Sequence, residues 1–251
     1  MTIRFSTGLR NELASRNGFS SCFNKGSINI YSGTQPATAD SAVTGTLLGT
    51  VTISSGALTQ ETRASATITV AGASGSINTV TVGGLNIIPS GAVAFTTDAA
   101  TTAAALCLAI NTDGLFDATV SGAVVTVKPH AGAGATYNGV ALATTVTTLT
   151  ATSSGNLTGG VAAVNGLTFA APSGGVVSKS GTWSFNGIAS GTAGWFRLIA
   201  SESDAGGAST TAIRMDGSVA VSGADMNLSN ISISIGAPNT VDTFQVTFPA
   251  Q

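Results

Sequence analysis

The chain has 251 residues, enough for one large domain or two small ones, each with room for an apolar core. Apolar residues make up 43% and charged ones only 8%, against the roughly 25% charged of an ordinary soluble protein. The mean hydropathy of +0.39 does not signal a membrane span, because no run approaches the roughly 18 uninterrupted apolar residues that a spanning helix needs.

Other classes are excluded in the same way. The 32 glycines are not periodic and meet only 6 prolines, which rules out collagen-like and elastic repeats. Nine scattered Lys and Arg make no basic stripe for nucleic acid. Dispersed monomers generally rely on surface charge, so a net charge of −2 on a hydroxyl-coated surface favours a protein held inside an assembly.

In chain order, "MTIRFSTGLRNEL" lacks the apolar core of a signal peptide, so no export is expected. Ser6 or Thr7 is placed to cap a short helix over "GLRNELASR", which Asn17-Gly18 end. Arg4, Arg10, Arg16 and Lys25 face only Glu12, a mildly basic start that reads as a solvated face or a contact to an acidic partner. "GSINIYSG" predicts a strand with Ile28 and Ile30 on one face, "TQPATADSAVTG" a long turn, and "TLLGTVTIS" a second strand.

Near residue 60 the texture changes. "ASATITVAG" and "INTVTVGGLNII" alternate with period two and predict a strand–turn–strand about Gly72 to Gly75. "FTTDAATTAAALCLAINTDG" then reads as a helix, capped by Thr97 or Asp98, with a stripe of Ala99, Ala103, Leu106 and Ile110 and a stop at Asn111 or Gly114. "DATVSGAVVTVKP" predicts a hairpin about Ser121-Gly122, and "GVALATTVTTLTA" another strand. Beyond Gly159-Gly160 the earlier style returns, with short strands bounded by Gly, Asn or Pro at roughly ten-residue spacing, as in a sandwich or barrel.

The N-terminal segment has too few strands to close a core alone. The expected fold is therefore mainly β: a β-sandwich, Ig-like or jelly-roll-like, built by residues 1–60 together with 163–251. Residues 61–162 form an inserted small α+β domain carrying the one long helix.

Chemistry is sparse. Cys22 and Cys107 are far apart and suit two buried, reduced thiols better than a disulfide. His130 is the sole histidine and no cysteine has another at ligand spacing, so no metal or other cofactor is expected. Glu202 and Asp204 in "SESDAGG" read as a solvated loop rather than a calcium site, since calcium takes six to eight oxygens. No G-x-S-x-G elbow, P-loop or dinucleotide fingerprint occurs, and the chain is expected not to be an enzyme. An enzyme acting on cell-surface polymers would need a carboxylate pair across a cleft. Trp183, Trp195 and Phe196 have two roles open to them: core, or a platform on which a sugar stacks.

"STGLRNELASRNGF" followed by "GSINIYSGTQPATADSAVTGTLLGTVTI" resembles the opening of small structural proteins of tailed bacteriophages. The closing run "GTAGWFRLIASESDAGGASTTAIRMDGSVAVSGADMNLSNISISIGAPNTVDTFQVTFP" is similar to theirs, and "FTTDAATTAAALCLAIN" with "ATVSGAVVTVKPHAGAGAT" resembles add-on domains of phage tail and virion proteins. The resemblance covers most of the chain and brings no catalytic residues. It implies a multi-copy virion component of the tail, neck or capsid surface, folded in the bacterial cytoplasm, whose partners are its own copies and other virion proteins. The competing expectation is a carbohydrate- or receptor-binding module of the virion recognising a host-surface glycan.

Overall fold

The computed structural model describes residues 3–15, 18–114 and 116–248. Two compact units emerge: Met1–Glu61 with Ala163–Gln251, and Thr62–Ala162. In chain order the first stretch forms β1 (Arg4–Phe5), α1 (Thr7–Ser15), α2 (Phe19–Phe23), β2 (Ser27–Ser32) and β3 (Leu47–Ile53). The middle unit forms β4 (Ala66–Ala71), β5 (Ser76–Val82), β6 (Leu85–Asn86), β7 (Val93–Ala94), α3 (Ala99–Asp113), β8 (Phe116–Ser121), β9 (Val124–Pro129), β10 (Leu142–Thr147) and β11 (Thr150–Ser153). The closing stretch forms β12 (Thr168–Phe169), β13 (Val176–Ser180), β14 (Trp183–Asn186), β15 (Gly191–Ile199), β16 (Arg214–Ala220), β17 (Met226–Leu228), β18 (Ser232–Ile233) and β19 (Pro238–Thr247). The protein is mainly β.

In the first unit the pairing runs β16-β15-β2-β3-β14-β19, and β17 pairs with both β19 and β16, so the strands join in a ring. The expected sandwich has two separate sheets; hydrogen bonding here links the strands into a barrel instead. Alternation of apolar and polar residues fixes which face is buried, but it is silent on whether the outer strands of a sheet meet. The ring closes between β16 and β17, the only parallel pair among the described strands. Asp225, in the short link joining them, secures that closure by accepting from the Ser218 amide at 2.8 Å and its hydroxyl at 2.7 Å.

Every ring strand sends side chains inward: Ile28 and Ile30, Leu48 and Val51, Phe185, Phe196 and Leu198, Met215, Leu228 and Phe244 share one core. Gly49 is needed there, because a Cβ at that position would lie 2.1 Å from the Phe185 ring. The Ser6 hydroxyl accepts from Leu9 N at 3.1 Å and so caps α1, as its sequence position predicts. Arg16 and Asn17, read as the end of that helix, lie outside the described residues. The five-residue α2 is not evident in the sequence; its Phe19, Cys22 and Phe23 are buried against the barrel core.

The middle unit has its own core, in which α3 packs on β4, β8 and β9. Asp98 caps the helix by accepting from Thr101 N at 2.7 Å, and Gly114 ends it in the left-handed conformation at φ 73°. The predicted stripe is buried at Ala103, Leu106 and Ile110. The hairpin of β8 and β9 turns at Gly122, as expected.

Two details differ from the sequence reading. β4 and β5 do not pair with each other but belong to different four-stranded sheets. The segment read as one strand over 139–151 is broken into β10, paired with β5, and β11, paired with β4. Both segments change sheet at the same corner, where Gly75 lies so close to Thr147 that a Cβ would meet its carbonyl oxygen at 1.9 Å. A Gly-rich interruption looks alike in sequence whether the chain reverses or passes on to another sheet.

Candidate functional site

The alternation in β15 puts Phe196 and Leu198 into the barrel and Trp195, Arg197 and Ile199 on its outside. Those outward residues are nonetheless buried, Arg197 being only 1% exposed. A second, polar layer therefore lies over β2, β15 and β16, beneath the loops of residues 33–46 and 200–213.

Strand register assembles it. Arg197 sits opposite Asp216, and its Nε and Nη2 each donate to a carboxylate oxygen at 2.8 Å. Arg214 grips Asp204 the same way, at 2.5 and 2.6 Å. Tyr31 stacks on Trp195 with ring centroids 4.5 Å apart, and the Arg197 guanidinium lies 5.6 Å from the Trp195 ring centre. Burial pushes the Asp216 carboxyl above the ordinary carboxylate range despite the opposing pull of Arg197. For Asp204 burial acts in the same direction, but the bonds from Arg214 and the Gly206 amide win, and its carboxyl is held low.

The layer fixes both loops. Arg197 Nη2 also donates to the Ser41 carbonyl at 3.1 Å, tying the first loop to the barrel, while Asp204 itself belongs to the second. Val43 N donates to Gly206 O at 2.9 Å and Ser209 N to Asp40 O at 2.8 Å, joining loop to loop. Asp40 accepts from the Thr7 amide and hydroxyl at 2.8 and 2.7 Å, bonds that hold its carboxyl below the usual range. Above this anchorage the solvent-exposed residues of both loops are all Gly, Ala, Ser or Thr, among them Thr34, Thr38, Thr44, Ser203, Thr210 and Thr211. Such side chains have little rotamer freedom to lose when another surface covers them.

The residues singled out from sequence are dispersed. Trp183 and Phe196 lie inside the barrel, each packed on Phe244, whereas Trp195 is on the opposite side of its strand. All three are 0% exposed, so they do not form one platform and none offers a ring face to a sugar. Asp204 is committed to Arg214, while Glu202 forms a parallel bridge with Glu61. Among the described residues no three His, Cys, Asp or Glu side chains gather as metal ligands would. Cys22 and Cys107 are both free thiols and buried. The basic start lines an open groove of about 310 Å³ with Ile3, Arg4, Phe5 and Arg10. There Arg4 donates to the Pro36 carbonyl and Arg10 to the Thr7 hydroxyl.

The two Arg–Asp pairs were not picked out from the sequence. For three of the four members, Arg197, Arg214 and Asp216, the signal is charge inside strands, in "WFRLI" and "IRMDG", in a chain that has few charges to place; Asp204 lies in the loop between them. Among the described residues no helix is long and apolar enough to cross a membrane. Searches against models of known protein families and against curated proteins find no match to this chain.

Proposed function

We propose that this protein is a non-enzymatic structural subunit of a tailed-bacteriophage particle, assembled in multiple copies in the tail or neck or on the capsid. The observation that carries the reading is the pinned pair of loops. The segments "IYSGTQPATAD" and "SESDAGGASTTAIRMDG", on which much of the phage resemblance rests, are far apart in sequence and meet over one buried ionic layer. They present a rigid, small-residue surface that loses little entropy on being covered, which suits repeated contacts between subunits. In this reading residues 62–162 are an inserted module carried by the barrel unit. Their likeness to tail-protein add-ons favours the tail.

Mass spectrometry of purified particles, with copy-number estimation, tests the proposal. A few to a dozen copies per particle is expected for tail or neck, and hundreds for the capsid surface. Absence from washed particles contradicts the proposal.

A further inference from the structure

His130 follows β9 in the middle unit, and both its ring nitrogens face acceptors. Nδ1 lies 3.2 Å from Asp117 Oδ1, and Nε2 contacts the carbonyl of Gly114, the residue that ends α3. A carboxylate and a backbone carbonyl only accept, so the two contacts are hydrogen bonds together only when both nitrogens carry protons. We infer that His130 is a charged clamp that fastens the C-terminal end of α3 to the β8–β9 hairpin and lets go when it loses its proton.

The surroundings set the balance. The C-terminal end of α3 leaves carbonyls without intrahelical partners and carries partial negative charge, which favours a cation there. Asp117 adds a full negative charge. Burial opposes that charge, yet the bond from His130 and the nearby charges of Arg63 and His130 hold its carboxyl below the ordinary range. Arg63 works against the imidazolium: it donates to Asp117 Oδ2 and, at 3.0 Å, to the Pro129 carbonyl. Lys128 stands opposite Asp117 across the hairpin and is a second opposing charge. Along the sequence Asp113 is the nearest other acid. Neither contact partner of the ring has a proton to give, so a neutral ring surrenders one of the two contacts.

A second fastening does not titrate. The Asn111 side chain accepts from Ala118 N at 2.7 Å and donates to Ala118 O at 3.0 Å, replacing a neighbouring strand along the free edge of β8. Loss of the proton therefore frees the end of the helix and leaves its body seated. The sign follows from linkage: the clamp's contribution is complete below the free-histidine value of about 6.5 and disappears as pH rises through the higher folded-state midpoint.

His130 is the only histidine, so its imidazole signals in long-range 1H–15N spectra of the full chain are unambiguous. The expected result is an imidazolium at pH 7, with a midpoint above the free value. The Gly114 and Asp117 amides should titrate with it while the Ala118 amide stays in place. In Asp117→Asn the midpoint should fall back towards the free value. A neutral tautomer at pH 7, a midpoint unchanged in Asp117→Asn, or a raised midpoint with a static Gly114 amide overturns the inference.

Discussion

Replacing Asp216 by alanine is expected to destabilise the barrel unit by about 3–5 kcal/mol, the usual cost of leaving one member of a buried ion pair behind. Arg197, 1% exposed in the native barrel, would lose its carboxylate partner there. A domain holds only about 5–15 kcal/mol in total, so this single change brings the unit close to unfolding. Chemical denaturation followed by tryptophan fluorescence reads the effect, because both tryptophans, Trp183 and Trp195, belong to that unit. The wild-type pair is not an efficient source of stability. Burial outweighs the attraction of Arg197 in setting the Asp216 proton affinity, and Arg197 Nη1 and Trp195 Nε1 have no acceptor among the described residues. Changing both partners, Arg197→Met with Asp216→Leu, should therefore recover most of the loss, although the tie to Ser41 goes with it. A double variant as unstable as Asp216→Ala, or a single variant costing under about 1 kcal/mol, would show that the pair does not act in this way.

The second large effect is one that should fail to appear. Excising Thr62–Ala162 and joining Glu61 to Ala163 through Asn-Gly is expected to leave the flanks folded and cooperative. Within the barrel unit Thr59 and Val164 are a mutually bonded antiparallel pair, at 3.1 and 2.9 Å, so the cut ends already lie a hairpin's width apart. Glu61 is tied down as well: its amide donates to Ser201 O at 2.9 Å and its carboxylate accepts from the Ser201 hydroxyl at 2.6 Å. None of the barrel core comes from the excised residues. The shortened chain should keep a single unfolding transition and the blue-shifted emission of buried Trp183 and Trp195. A red-shifted, non-cooperative product would mean that the flanks depend on the middle.

Local patterns were legible in the sequence, and non-local pairing was not. Period-two spacing put Ile28 and Ile30 on one face, the face that the barrel core buries. Capping and glycine chemistry narrowed the ends of α3 to Thr97 or Asp98 and to Asn111 or Gly114, of which Asp98 and Gly114 serve. The ring closure was hidden, because the β16–β17 pairing depends on how a short link folds back onto Ser218. The ionic layer was hidden for a related reason. Alternation assigns Trp195 and Arg197 to the side away from the core, and nothing in a strand's own sequence says that two loops will cover that side. The same blind spot left the aromatics undecided between core and sugar platform.

The claim that joins the fold to the proposed function is that the loops of residues 33–46 and 200–213 are a ready-made subunit contact. Hydrogen exchange of the isolated protein against the same protein within intact particles tests it most directly. Peptides covering both loops should gain protection on assembly, together and more than peptides from the rest of the barrel unit. Loops that exchange equally in both states, while protection arises on another face, would contradict the account.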